Sequence, residues 1–404
     1  MPASLATVNA LLKEIYQGSL REQLQSEVIG YKRIESTNRG VSQDVGGKYV
    51  TFPLRVRRNH GQGYRQENEQ LPAAGQQGYA SVRIPLKYGY GRVRLTGQLM
   101  KLAETNPQSF ANAMEKEMDG LKDDTAKDCA RIFYGNATGQ LAVVTADGAN
   151  TVTVSNIQYL ELDMMIDVIT PGTGAVKFSN RKITAIVPGT FPAGTVTYDG
   201  ADGTAVANDV IVRTGSGTVS AGVFREPNGL GSIIASTGAL YNVDPATEPK
   251  WASIIDTNGG SNRSLTEEMW IKACDNTRIN GGKVSVIFAS LGVRRAYFSL
   301  LKAQRQFVKA QTFEGGFQGL AFAAGGGDIP VVEDVDCPPN TSFGLQESNF
   351  TVYREAEWEF ADDDNSVLKW VTDFDAWEAI LRRYWELGID RRNSHFKVGD
   401  ITET

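Results

Sequence analysis

Two strictly alternating runs flank a long polar segment, and that arrangement constrains this chain more than any other feature. In KYVTFPLRVRR (48–58), Val50, Phe52, Leu54 and Val56 fall on one face, and Thr51, Pro53, Arg55 and Arg57 on the other. In YASVRIPLK (79–87), Ala80, Val82, Ile84 and Leu86 oppose Ser81, Arg83, Pro85 and Lys87. Period two predicts two half-buried strands. Each carries a proline, which an edge strand tolerates and a central strand does not. Both strands of a two-stranded ribbon are edges, so the pair reads as a long hairpin, with about eleven residues in a strand spanning roughly 36 Å. Between the strands runs VRRNHGQGYRQENEQLPAAGQQGY (56–79), which has almost nothing to bury. A loop of that length inside a compact domain calls for a function. An isolated hairpin is marginal in water, so the apolar face is expected to lie on something outside the local fold.

Charge points the same way. From Lys48 to Arg94 nine basic residues (Lys48, Arg55, Arg57, Arg58, Arg65, Arg83, Lys87, Arg92, Arg94) face two acids, Glu67 and Glu69, a balance of +7. The whole chain is −6, which leaves −13 for the remainder. A basic arm on an acidic body complements another copy of itself, although a solvated basic face would look the same in sequence. The overall acidity, with a pI near 5.3, is unfavourable for wholesale nucleic-acid binding.

Several classes of chemistry lack their residues. Two histidines, His60 and His395, and three scattered cysteines, Cys129, Cys274 and Cys337, make no zinc constellation and no disulfide framework, which fits folding in a reducing compartment. Phosphate-loop, dinucleotide and nucleophile-elbow motifs do not occur. Gly325, Gly326 and Gly327 precede a strand rather than a helix. Cys129 lies in a helical pattern and reads as a small buried residue rather than a nucleophile. Asp362, Asp363 and Asp364 read as a solvated turn, since calcium-loop spacing is missing. No cofactor, metal or catalytic residue is therefore expected. There is no apolar run of 18 residues to span a membrane. The N-terminus reads as an amphipathic helix (Leu5, Val8, Leu11, Leu12, Ile15, Tyr16) rather than a secretory signal.

The rest of the chain reads in order. Asn106 as N-cap and Pro107 at the first helical position open a helix carrying Phe110, Met114, Met118, Leu121, Cys129, Ile132 and Phe133, closed by Gly135 and Asn136. Its narrow stripe suggests a spine, roughly 42 Å long, laid on a sheet. Residues 140–222 alternate short Val/Thr/Ile runs with Gly, Asn and Asp turns, an all-β unit that could be a barrel or a sandwich. Ser264 to Glu267 reads as a capping box before a helix with Met269, Trp270, Ala273 and Ile279, ended by Gly281 and Gly282. Val284, Val286 and Phe288 make a strand, and Ser290 caps a helix with Val293, Tyr297, Leu300 and Leu301. IPVVED and TVYREAEWEF read as strands, with a turn at Cys337 to Asn340 between them. AWEAILRRYWELGI (376–389) suits a helix and a strand almost equally.

This order resembles the tailed-bacteriophage major capsid protein family, whose fold encapsulins share. FREPNGLGSIIAS (224–236) resembles that family's way into the axial domain, GGKVSVIFASLGVRRAYFSLL (281–301) its central strand and helix, and IPVVEDVDCPPNTSFGL (329–345) its return to the peripheral domain. The implied fold is α+β: an N-terminal arm (1–47), an extended hairpin loop (48–96), a peripheral domain with the spine helix (97–139), an inserted β-domain (140–222), an axial domain (223–328) and a return to the peripheral domain (329–404). The resemblance also implies that 376–389 is a strand. The implied role is a shell protein forming hexamers and pentamers of an icosahedral head around double-stranded DNA, assembled in the host cytoplasm and resident in the virion. Its implied partners are other copies of itself, a portal protein, a separate scaffolding protein, a decoration protein on the inserted domain, and DNA held without sequence preference; no membrane is implied. The scaffold is expected to be separate because the hairpin starts by residue 48, leaving no room for a cleaved scaffolding segment. In the family the extended loop lies across a neighbouring subunit, so the contact residues are expected to be Phe52, Leu54, Arg55, Arg57, Arg58, Arg65, Glu67, Glu69, Val82, Arg83, Ile84 and Leu86. Some members weld subunits through a lysine on this loop, but no lysine lies between Lys48 and Lys87. Arginine is a poor nucleophile and a good carboxylate partner, so non-covalent contacts are expected. The alternatives are an encapsulin-like compartment and, more remotely, a β-rich carbohydrate-active enzyme.

Overall fold

The computed structural model describes residues 28–37, 41–42, 49–98, 107–190, 192–200, 203–217, 224–303, 311–312, 318–324, 327–362 and 366–403. The expected helix near residues 5–16, the Asn106 cap, and Asp363 and Asp364 lie outside them. A short helix, α1 (Gly30–Glu35), tucks Tyr31 and Ile34 into the body, and the Gly30 amide donates to Asp334 Oδ2 at 2.8 Å. Then come β1 (Val41–Ser42), β2 (Tyr49–Arg57), β3 (Gly78–Pro85), β4 (Lys87–Thr96) and the spine helix α2 (Pro107–Tyr134).

Beyond α2 the chain builds a closed six-stranded barrel from β5 (Gln140–Gly148), β6 (Thr151–Val154), β7 (Met165–Ile169), β8 (Val176–Pro188), β9 (Gly194–Tyr198) and β10 (Val210–Arg213). Its interior is aliphatic, with Val152, Val154, Ile166, Val168, Ile183, Val196 and Ile211 fully buried, and Phe178 stacks on Tyr198 at 4.5 Å. Arg131, buried near the end of α2, ties barrel to spine. It meets Asp128 Oδ1 at 2.9 Å and Glu226 Oε1 at 2.6 Å, and donates to the Gln140 carbonyl, where the barrel begins. Arg213, at the barrel's last strand, reaches the other oxygen of Asp128 at 3.2 Å.

The segment expected as the axial domain and the start of the return follow: β11 (Ile254–Asp256), α3 (Glu267–Ile279), β12 (Val286–Ala289), α4 (Leu291–Ala303), β13 (Gln311–Thr312), β14 (Gln318–Ala324), β15 (Gly327–Glu333) and β16 (Ser342–Leu345). After them come β17 (Phe350–Arg354), β18 (Glu359–Phe360), β19 (Leu368–Trp370), β20 (Ala376–Ile389) and β21 (Phe396–Val398). A seven-stranded sheet, expected as axial, runs β11-β21-β16-β12-β15-β14-β13. Strand β12 is buried at every position because both its faces are covered, and Trp270 of α3 is sealed in with its indole N–H on Ser342 Oγ. Ser290 caps α4 as expected. The capping box does not form. Helix α3 starts at Glu267 with Thr266 as N-cap and no side-chain cap bond. Leu265 is drawn into the core instead, and Glu267 and Glu268 complement the helix dipole.

The ambiguous stretch 376–389 is a strand, the long β20 at the centre of a six-stranded sheet, the one expected as peripheral. One edge pairs with β4, from Ala376↔Thr96 to Trp385↔Lys87. The other takes β19, β18 and β17 in turn. As a strand it buries Ala379, Leu381, Arg383, Trp385, Leu387 and Ile389 on one side. Arg383 is accommodated there because its guanidinium lies 5.0 Å over the Trp385 ring and donates to the Tyr31 hydroxyl at 2.6 Å. TVYREAEWEF, read as one strand, is broken into β17 and β18, because Trp358 turns under the sheet onto Gly89. A Cβ at Gly89 would stand 2.8 Å from that indole. Helix α2 approaches the sheet equally closely: a Cβ at Gly91 would meet Leu121 at 3.1 Å.

Candidate functional site

The hairpin divides into a stem and a tip that behave differently. In the stem, β2 and β3 pair antiparallel with Val50 opposite Ile84, Phe52 opposite Val82 and Leu54 opposite Ala80. The apolar face therefore forms as the alternation predicts, but its partner corrects the expectation. Val82 and Ile84 are fully buried in the chain's own core, with Val50, Phe52, Leu54 and Ala80 packed partly against the same cluster. The receiving surface is the far end of β20 and the segment around Tyr241. Ile84 Cδ1 sits over Gly388, where a Cβ would meet it at 2.8 Å, and the Arg83 amide donates to the Tyr241 carbonyl at 3.0 Å. Val82 and Ile84 are thus core residues rather than intersubunit contacts. Phe52 and Leu54 are half given to the same core, and Leu86 is half-buried at the bend into β4.

The basic face points outward, and Arg55, Arg58 and Arg83 are exposed. Arg57 is committed within the chain. Its guanidinium holds Glu248 through two hydrogen bonds of 2.5 and 3.3 Å, which keeps that carboxyl below its ordinary range. A register shift between Arg55 and Arg57 ends the stem. There Gly78 lets the strands meet, since a Cβ would stand 2.9 Å from that of Arg57.

The tip, residues 58–77, contains no ladder strand, yet it folds back on itself. Asn59 Nδ2 donates across to the Gly75 carbonyl at 3.0 Å, while the Gly61 amide donates to Asn59 Oδ1 at 2.7 Å. Further out, Arg65 Nε reaches the Gln70 carbonyl at 3.0 Å. The chain reverses at Gln66 to Glu69, with Asn68 left-handed at φ 65°. The Gln66 amide donates to Glu69 Oε2, and the Glu69 amide to the Gln66 carbonyl. Side-chain-to-backbone bonds thus hold the polar loop as a projecting extension. Arg65, Glu67 and Glu69 all lie on it and are exposed. So are Tyr64 and Leu71, two large apolar side chains with over four-fifths of their surface in solvent. They were not among the expected contact residues. Their signal was present as the isolated large apolar residues of an otherwise polar run.

The neck is narrow. A Cβ at Gly61 would lie 2.5 Å from the Gly75 nitrogen, and one at Gly75 would lie 2.4 Å from Asn59 Oδ1. Gly61→Ala is expected to splay the two arms and speed proteolysis within 59–75, with a change in global unfolding of at most about 0.5 kcal/mol because the tip contributes nothing to the core. Limited proteolysis beside a denaturant melt checks this; unchanged cleavage would refute the neck.

Known proteins bear on the fold. No family model matches the sequence, and no curated protein does. Among solved structures the chain is similar to the capsid asymmetric unit of cyanophage A-1(L), at 14% identity and a TM-score of 0.61, covering 99% of this chain and 100% of that one. It is also similar to the capsid of the native GTA particle, at 9% identity and a TM-score of 0.52 over 100% of both chains. The empty GTA capsid gives 10% identity and a TM-score of 0.51 over 99% of each. The mixed helix-and-sheet architecture described above is the capsid fold.

Proposed function

We propose that this chain, folded as those capsid subunits are, is the major shell protein of a tailed-bacteriophage head, with no enzymatic role. The observation that carries the reading is the hairpin. Its stem is locked into the body by Val82, Ile84 and the Arg57–Glu248 pair. Its tip projects Tyr64, Leu71 and Arg65 with no surface beneath them among the described residues. An arm anchored at one end and bare at the other is built to reach a neighbour. The intersubunit set is then Arg55, Arg58, Arg65 and Arg83 meeting the acidic surface of the adjoining copy, with Tyr64 and Leu71 as apolar anchors and Glu67 and Glu69 at the turn.

Such contacts are heterologous, so they close into rings, here hexamers and pentamers. Each is modest, and many made together are strong. Double-stranded DNA would be enclosed without sequence-specific contacts, since the body away from the hairpin is acidic. A portal protein and a separate scaffold complete the assembly, with the barrel free to take a decoration protein.

Expressed alone and with its candidate scaffold, the chain is expected to form closed shells in electron micrographs. A protein that stays monomeric under both conditions would overturn the reading. Because the tip offers arginine and no lysine, mature particles should run as monomer on reducing, denaturing gels. A ladder of covalent multimers would refute non-covalent stapling.

A further inference from the structure

Where the hairpin leaves the peripheral sheet, one carboxyl is sealed inside the protein. Glu386 has no exposed surface. It lies on β20 just past Trp385, where pairing with β4 stops and the hairpin stem begins to cover the strand. Its Oε1 accepts the Asn228 amide at 2.6 Å and the Leu387 amide at 3.2 Å, and lies 3.4 Å from the Tyr241 hydroxyl. Its Oε2 is buried with no hydrogen-bond partner among the described residues.

Three parts of the molecule meet at this carboxyl: the sheet through β20, the chain returning from the barrel through Asn228, and the hairpin root through Lys87. The charged and titratable groups facing it are few. From β4 there is Lys87, whose ammonium is engaged by the Phe224 carbonyl. From the segment beneath the stem there is Tyr241, which also donates to the Leu387 carbonyl and has the Arg392 guanidinium in its field. None of these gives Glu386 a salt bridge.

We propose that Glu386 is a proton-controlled latch, closing the joint between hairpin, barrel and sheet when it carries its proton and loosening it when the proton leaves. A buried carboxylate with one bare oxygen and no paired cation is costly. Burial accordingly pushes this carboxyl up to about 8, against the opposing pull of the two amides and Lys87. The sign follows from linkage. In a locally opened joint the carboxyl is solvated and ionises near its ordinary 4.5. Between that pH and the closed value the open state has lost a proton that the closed state keeps. Opening therefore becomes more favourable by about tenfold per pH unit over that window, and levels off above it. The inference holds whether or not the chain builds shells. If it does, the angle of the arm is under the control of the surrounding pH.

The test is hydrogen exchange of the full chain between pH 6 and 9, corrected for intrinsic rates and read on peptides containing the Asn228 and Leu387 amides. In the natural protein their protection is expected to fall about tenfold per pH unit up to about 8 and then flatten, while Val286 to Ala289 in the axial sheet show no such slope. Glu386→Gln keeps the acceptor and cannot ionise, so it should remove the slope. Lys87→Met removes the nearest cation, so the slope should continue to higher pH. A slope that survives Glu386→Gln, or a natural protein with none, overturns the proposal. Should Glu386→Gln fail to fold, infrared spectroscopy of the natural protein decides. A protonated-carboxyl band titrating near pH 8 supports the latch, and its absence at neutral pH rejects it.

Discussion

A chain in which residues 59–76 are replaced by a two-residue Asn-Gly turn is expected to fold normally and to assemble nothing. The first half follows from where the stem's energy lies. Val82 and Ile84 are buried with Leu387, Ile389 and Tyr241, and the Arg57–Glu248 pair remains. A type I′ turn is compatible with the twist of the two strands it would join. Among the described residues the tip buries nothing against the body, so its loss should change unfolding by at most about 0.5 kcal/mol. The second half follows because the deletion takes away Tyr64, Arg65 and Leu71 together, and with them the arm's reach. A heterologous ring cannot close when each copy lacks one side of the contact, so the loss of shells should be complete rather than graded. Electron microscopy and sedimentation of the shortened chain, beside a urea melt, give both readings. Closed shells from the tipless chain would remove the hairpin from the mechanism. A collapsed melt would show that the tip belongs to the fold.

The stem shows what a sequence does and does not disclose. Period two named Val50, Phe52, Leu54, Val82 and Ile84 as one covered face; Val82 and Ile84 are fully buried, and Val50, Phe52 and Leu54 pack partly against the same cluster. Alternation says that a face is covered and is silent on what covers it. Here the cover is Tyr241 and the 387–389 end of β20, some 150 to 300 residues further along the chain. The spine helix was legible for a related reason: its start at Pro107 and its stop before Gly135 are local chemistry. Segment 376–389 was balanced on spacing, because Trp377, Leu381 and Tyr384 fit one period and Ala379, Leu381 and Trp385 the other. Its hydrogen-bond partners on both edges settled it as a strand. The break at Trp358 left no trace, since a missing Cβ at Gly89 marks it only once both residues are in place. In the tip, the polar composition concealed that Tyr64 and Leu71 were the residues most in need of a partner.

Arg131 gave no signal in the sequence either, and its loss is expected to be the most damaging single change. Its side chain is buried and links three places: Asp128 on the same helix, Glu226 on the return from the barrel, and the Gln140 carbonyl where the barrel begins. Asp128 is pushed up by burial, but Arg131 and Arg213 outweigh that and hold it below its ordinary 3.8. A carboxyl lowered in the folded state contributes stability that is present above its unfolded value and is lost as pH falls through the folded one. Arg131→Ala strands two carboxylates with only Arg213 nearby. Breaking a buried pair by removing one partner costs about 3–5 kcal/mol, and that is the expected loss at pH 7. Without the guanidinium Asp128 loses the larger of the two attractions that hold it low, so it takes up its proton more readily on acidification and the difference from the natural protein should shrink toward pH 4. Replacing all three side chains by neutral ones of like size, Arg131→Met with Asp128→Asn and Glu226→Gln, leaves no unpaired charge and should recover most of the loss. Urea unfolding at pH 7 and at pH 4.5 measures each term. A cost below about 1 kcal/mol at neutral pH, the range of an exposed pair, would mean that the barrel is held to the spine by something other than this arginine.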